Sequence, residues 1–319
     1  MSDMDQLAGA LAALRWPVGR YRFDFRVTDR IFLPEYAGSA IRGVFGWALR
    51  RIACMTHMEE CRKCPLWKTC PYALFLESQP PAVHTLQKFS QVPHPYVIEP
   101  PVKGRREYMP GDKLSFCIVL IGKALTQLPL AIYAMQRAFS REISGGRAEL
   151  DSVFLEDADG FAHLVYGQGF EEILSHETWI EVPEFHGALD VRLVFSSPLR
   201  LQENGRPLPP EEISAQKLLM ALVRRTALLM EFHGGKTLDL PFKEFSELCA
   251  KSVAATDKLT WFDWKRYSNR QHQMMNFGGN VGVLELHDVV GVLMPFIYIG
   301  QWVHVGKNAT FGLGQYQLS

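Results

Sequence analysis

The sequence predicts an α+β chain of two tandem β-α-β-β-α-β units, the first carrying a cysteine-rich insertion. Three observations predict it. The chain has 319 residues, enough for two domains at about 100–200 residues each. The same order of strand-type and helix-type periodicity occurs once in each half. Four of the six cysteines fall together in the connection after the first helix.

In the first half, residues 21–28 (YRFDFRVT) alternate apolar and polar side chains and read as a strand. Pro34 and Gly38 punctuate a loop. Residues 39–52 read as a helix capped by Ser39, with Ile41, Val44, Phe45, Ala48, Leu49 and Ile52 on one face. Arg42, Arg50 and Arg51 mark the other face. A long connection bearing cysteine and proline leads to a buried strand at 114–121. A helix at 128–139 follows, with Pro129 in its first turn. Ser144, Gly145 and Gly146 form a turn before a strand at 153–155.

The second half repeats this logic. Residues 189–195 are a strand that 199–201 continue beyond Pro198, and 214–231 are an apolar helix capped by Ser214. Residues 273–286 have strand character around Gly278, Gly279 and Gly282. Residues 289–299 read as a helix despite Pro295, and 315–318 as a last strand. Residues 237–263 read as an insertion. Units of this kind are ferredoxin-like. The expected boundaries are 15–180, with the insertion at about 54–110, and 185–319.

Composition narrows the function classes. Aliphatic and aromatic residues make up 47%, too apolar for a disordered chain. The longest apolar stretch, 114–134, is broken by Lys123, Gln127 and Pro129 and falls short of a membrane span. Asp3 and Asp5 precede any apolar stretch, unlike a signal peptide. Sparse, clustered cysteine fits a reducing compartment, so the expectation is a cytoplasmic protein without a membrane partner. The net charge of zero hides an asymmetry. Residues 1–110 hold 15 Lys/Arg and 10 Asp/Glu, 111–240 hold 12 and 18, and 241–319 hold 7 and 6. Residues 148–191 contain eleven acids and no Lys or Arg. A polyanion is expected at the N-terminal third and away from that acidic stretch.

Cys54, Cys61, Cys64 and Cys70 are spaced C-x6-C-x2-C-x5-C. Four thiolates suit a closed, structural tetrahedral zinc site that would order a connection poor in hydrophobic filling. An iron–sulfur cluster is the alternative, hinted at by the Cys70-Pro71 pair. Four free thiols are the remaining reading. His57 is a substitute ligand, while Cys117 and Cys249 lie in apolar contexts and read as core. No G-x-S-x-G or H-E-x-x-H occurs.

Residues 304–316 (HVGKNATFGLGQY) place Gly306, Gly312 and Gly314 before the last strand, with Lys307 among them. Such glycines let backbone N–H groups approach an anion, though a hairpin explains them equally. The loop is neither a P-loop nor a dinucleotide fingerprint. Residues 263–271 (DWKRYSNRQ) gather Lys265, Arg266, Tyr267, Ser268 and Arg270 in one run. Arginine forks there would bind phosphate, and Tyr267 or Trp264 would stack on an unpaired base.

The ending VGKNATFGLGQY resembles the glycine-rich loop of the RAMP superfamily of CRISPR-associated RNA-binding proteins. More narrowly, the chain is similar to the repeat-RNA processing endoribonucleases of that superfamily. LPEYAGSAIRGVFGWALRRIAC resembles their first helix, GDKLSFCIVLIGKA the central strand of their first unit, and DWKRYSNRQHQMMNFGGNVGVLEL their RYSNRQ-like segment. The resemblance implies two RAMP/RRM-like domains that bind and cut a CRISPR precursor within the repeat stem-loop. It implies no catalytic metal: the ribose 2′-hydroxyl attacks the scissile phosphate, leaving a 2′,3′-cyclic phosphate and a mature guide RNA. The guide stays bound or passes to effector-complex subunits.

Family members take the acid–base role from a histidine or tyrosine near the first helix, and this first helix has no histidine. Tyr36 before the helix and His304 before the glycine loop are the catalytic expectations, with Lys307 on the phosphate. Arginines, or another group of the second unit, remain open as the base. The implied RNA contacts are Arg42, Arg50, Lys265, Arg266, Tyr267, Ser268, Arg270, Gly306, Gly312 and Gly314. The rival reading is a non-catalytic subunit holding the repeat hairpin in a CRISPR ribonucleoprotein.

Overall fold

The computed structural model describes residues 3–78, 92–101, 106–268 and 273–319. In chain order the elements begin α1 (Asp3–Ala12), β1 (Val18–Asp29), β2 (Ile31–Phe32), α2 (Gly38–Ala53) and α3 (Pro71–Leu76). There follow β3 (Tyr96–Glu99), β4 (Glu107–Tyr108), β5 (Lys113–Ile121), α4 (Leu128–Arg141), β6 (Arg147–Glu156) and β7 (Ala162–Gly167). Then come β8 (Ala188–Leu199), β9 (Gln202–Glu203), β10 (Arg206–Pro207), α5 (Ala215–Leu229) and α6 (Phe242–Lys251). The chain closes with β11 (Val253–Ala255), β12 (Leu259–Ser268), β13 (Gln273–Val290), α7 (Met294–Val303) and β14 (Tyr316–Leu318).

Two compact units result. One comprises Pro17–Ile180 and Leu228–Lys236, the other Met1–Trp16, Glu181–Ala227 and Thr237–Ser319. In the first, the sheet runs β3-β5-β1-β6-β7 with every neighbour antiparallel. Counted along the unit, β3-β5-β1-β6 is the order 2-3-1-4 of a split β-α-β unit. The second repeats it as β11-β13-β8-β14, and β12 adds a strand to the long β13.

The alternation read in residues 21–28 is the physical basis of the first unit. Tyr21, Phe23, Phe25 and Val27 of β1 are buried in a core shared with Ile41, Phe45 and Leu49 of α2 and Met135 and Phe139 of α4. Phe25 stacks on Phe139 with ring centroids 4.2 Å apart and on Phe116 at 5.6 Å. The alternate residues carry charge. Arg20 reaches Glu99 and Glu156, each at 2.6 Å, and Arg22 reaches Glu156 at 3.0 Å. Lys113 meets the buried Asp24 at 2.8 Å, and Arg26 meets Glu149 at 2.7 Å.

Several expectations are corrected. The helix expected from Ser39 starts at Gly38, and Ala37, already in helical conformation at φ −77° and ψ −16°, stands where Ser39 was to cap it. Strand character expected for 273–286 runs on to Val290, so the helix expected from 289 starts at Met294, with Pro295 in its first turn. The two stretches read as insertions each supply a second strand, β3 and β11. Strand β6 is ten residues long where three were legible, because Glu149 and Asp151 interrupt its apolar run and are held by Arg26. Among the described residues no helix is long and apolar enough to cross a membrane.

Candidate RNA interface

In the second unit, the glycine loop is built by close backbone packing. Gly306 has φ +90°, and a Cβ there would lie 2.6 Å from the Arg200 carbonyl oxygen. Gly314 has φ +72°, and its Cβ would lie 1.8 Å from the Val305 carbonyl oxygen. Only glycine fits either place. The Val305 N–H donates to Gly314, Lys307 to Arg200, Gly312 to Ala309 and Gly314 to Pro198. These N–H groups, expected to cradle an anion, are spent on the protein's own carbonyls. Gly312 and Gly314 are buried, and the exposed side chain of the loop is Lys307.

Arg200, at the end of β8, ties this loop to the β12–β13 hairpin. Its carbonyl accepts from the Lys307 N–H at 2.8 Å, while its guanidinium donates to the Gly278 carbonyl. Burial holds its pKa below the usual arginine range, and Asp263 acts the other way. A Cβ on Gly278 would lie 2.1 Å from the Trp261 ring, so Trp261, 40% exposed, lies across the glycine backbone. Gly279 allows β13 to approach Leu199, whose carbonyl oxygen would be 2.8 Å from a Cβ there. Lys265, Arg266, Tyr267 and Ser268 lie on β12, paired in register with Asn276, Met275, Met274 and Gln273. Arg270 lies outside the described residues.

His304 is fully buried. It ends α7 at φ +59°, and its Nδ1 donates to the Leu313 carbonyl at 3.2 Å. Beside it, the Arg225 Nε donates to the Val303 carbonyl at 2.8 Å, satisfying the helix end. An imidazole with no exposed atom is placed to hold the loop rather than to meet an RNA. In the first unit Tyr36, on the turn before α2, has 8% of its surface exposed and a buried hydroxyl. Arg42 of α2 lies beside the Tyr96 phenol; burial raises that phenol's pKa and the Arg42 charge opposes it. Arg50 donates to the Met58 carbonyl at 2.9 Å and lies over the Tyr72 ring. Trp47 of α2 is exposed and carries Arg51 at 5.0 Å and Arg141 at 4.1 Å from its ring centre.

The four clustered cysteines line one cavity of about 90 Å³ together with Trp67 and Tyr72. Among the described residues, no three His, Cys, Asp or Glu side chains close on a point that would hold a single metal ion.

Comparison with known proteins accounts for both units. The family model of the AF_1859 N-terminal domain matches residues 14–178. That of the CRISPR-associated endoribonuclease Cas6 matches residues 193–316. The C-terminal part of the chain is thus similar to the Cas6 family. A solved Cas6 product complex shares the fold with a TM-score of 0.59 and 14% identity, over 95% of this chain and 100% of that one. A Thermus thermophilus Cas6 gives 0.52 and 15%, over 96% and 100%. A partial Cas6-RT-Cas1–Cas2 complex gives 0.55 and 14%, over 97% of this chain and 47% of that one. No curated protein sequence matches.

Within the Cas6 framework, the structure brings Gly306, Lys307, Gly314 and the β12–β13 hairpin together through Arg200. Sequence reading missed Arg200, Arg225, Trp47 and Trp261. Arg200 and Arg225 are marked by the Gly278 and Val303 carbonyls, each 78 residues away, and such partners leave no periodic signal. It also overstated the free basic charge of residues 1–110. Arg20, Arg22 and Arg26 are engaged by Glu99, Asp24, Glu149, Asp151 and Glu156, three of which belong to the acidic stretch.

Proposed function

We propose that this chain cuts the repeat of a CRISPR precursor transcript with its 2′-hydroxyl as nucleophile and without a metal at the cut. The products are a 2′,3′-cyclic phosphate and a 5′-hydroxyl. The observation that carries the RNA-binding part is the exposed Lys307 at the tip of a loop rigidly tied to the β12–β13 hairpin. A lysine on a preorganised backbone is held at the loop tip, and its ammonium can stabilise the charge that develops on a phosphorane. Lys265 and Arg266 on β12 add candidate phosphate ligands, and Trp261 offers an exposed ring for stacking. Lys307 takes the phosphate role. Neither Tyr36 nor His304 takes the acid–base role, because both are packed inside.

The test replaces the ribose 5′ of the scissile phosphate by its 2′-deoxy form in a cognate repeat stem-loop. Cutting is expected to stop while binding persists. Undiminished cutting contradicts in-line attack by the 2′-hydroxyl. The burial of Tyr36 and His304 favours a second reading, in which the chain holds the repeat hairpin without cutting it. Binding without turnover of a cognate repeat would establish that reading.

A further inference from the structure

Residues 54–70 have almost no core of their own. Cys64 alone among them is buried, and Met55, Met58 and Leu66 are exposed. Yet their backbone is turned tightly at each cysteine. Cys54 ends α2 with its N–H on Arg50, and Cys61 opens a turn that the Cys64 N–H closes at 3.1 Å. Cys70 caps α3, whose first residue is Pro71. A segment that buries so little cannot offset its ordering entropy by hydrophobic contact, so another interaction must hold it. All four thiols line one cavity there.

These thiols ring a cavity rather than meet at a point. Four thiolates on one zinc ion lie about 2.3 Å from it, which puts the sulfurs about 3.8 Å from one another. No three ligand side chains among the described residues form such a group. The cavity that the cysteines line is about 90 Å³ and is also walled by Met55, Met58, Leu66, Trp67 and Tyr72. A polynuclear group takes four thiolate ligands without requiring them to meet at one ion. The surroundings suit its chemistry. The Thr56 hydroxyl lies 3.2 Å from the Cys64 sulfur. A hydroxyl beside a ligating sulfur is a lever on cluster stability.

We propose that Cys54, Cys61, Cys64 and Cys70 ligate a [4Fe–4S] cluster that fixes the segment between α2 and α3. Each thiol gives up its proton on binding, so four thiolates carry the cluster. The site is separate from the RNA-cutting chemistry and does not depend on that reading.

The test uses the full chain, purified without oxygen and reconstituted with ferric iron, sulfide and a thiol reductant. Iron and acid-labile sulfide are counted, zinc is measured in parallel, and the visible absorbance is followed on adding dithionite. The expected result is about four iron and four sulfide per chain, with a brown absorbance that dithionite bleaches. Cys61→Ser and Cys64→Ser lose the iron, whereas Cys117→Ser, outside the cavity, keeps it. Stoichiometric zinc that iron and sulfide do not displace overturns the cluster. So does a chain that takes up no metal, or iron retained by both cavity variants. Because the count is made on the unaltered chain, it decides even where a serine variant fails to fold.

Discussion

Gly314→Ala separates a packing role from a phosphate-cradling role for the glycine loop. At φ +72° an alanine pays the left-handed penalty of about 1–2 kcal/mol. Its Cβ would also lie 1.8 Å from the Val305 carbonyl oxygen and 2.8 Å from the carbonyl carbon, both backbone atoms that cannot rotate aside. The loop must therefore open. Doing so strains the 3.2 Å bond from the Val305 N–H to Gly314 and the 2.9 Å bond from the Gly314 N–H to Pro198. Each buried group left unsatisfied costs about 1–3 kcal/mol. The expected loss is about 3–8 kcal/mol, a large part of a stability of about 5–15 kcal/mol. Gly205→Ala is the control, at φ +80° with nothing within 4 Å of its Cβ, so only the backbone penalty applies. Urea titration followed by circular dichroism reads the midpoints, and RNA affinity is measured well below the transition. Equal midpoints for the two variants would refute the packing argument. An unchanged midpoint with lost RNA binding would return Gly314 to a phosphate cradle.

Lys307→Ala should weaken repeat binding about tenfold and flatten the dependence of log affinity on log salt by about 0.7–0.9, as measured by titration at several salt concentrations. Unchanged affinity and cleavage would remove Lys307 from the interface. Tyr36→Phe and His304→Asn should lower stability while leaving the rate of the cut within a few-fold in single-turnover assays; a folded variant that cannot cut would make that residue catalytic. Arg20→Met leaves Glu99 and Glu156 facing each other and should cost about 3–5 kcal/mol near neutral pH. Protonation relieves that repulsion, so the gap to the parent should narrow as pH falls, and a constant gap would contradict it. The buried His233 donates from Nε2 to the Pro93 carbonyl at 2.8 Å, and burial holds its pKa down at about 4. A folded pKa below the unfolded 6.5 gives stability that is present above pH 6.5 and lost as pH falls toward 4, up to about 3 kcal/mol. The advantage over His233→Gln should shrink across that window, and parallel profiles would argue against it.

The elements with clean periodicity were legible. Residues 21–28 alternate because one side of β1 meets α2 and α4, and residues 128–139 show the face that stacks Phe139 on Phe25. The strands β3 and β11 were not legible, being four and three residues long inside connections dominated by turns. The β6 strand was half hidden because its acids answer arginines more than a hundred residues away. At the interface, glycine density was readable but its purpose was not. The same residues serve close backbone packing or anion approach, and only the carbonyls of Arg200 and Val305 decide between them. For His304 the sequence shows a titratable group near a loop; its burial follows from the end of α7 and the Leu313 carbonyl, neither of which leaves a mark in sequence.

The most direct test of the central claim is cleavage of an end-labelled cognate repeat stem-loop by the purified chain in excess EDTA, with the product ends identified. The proposed function predicts a single cut leaving a 2′,3′-cyclic phosphate and a 5′-hydroxyl at an undiminished rate. A cut that EDTA abolishes and added divalent metal restores, or one leaving a 5′-phosphate, would contradict it.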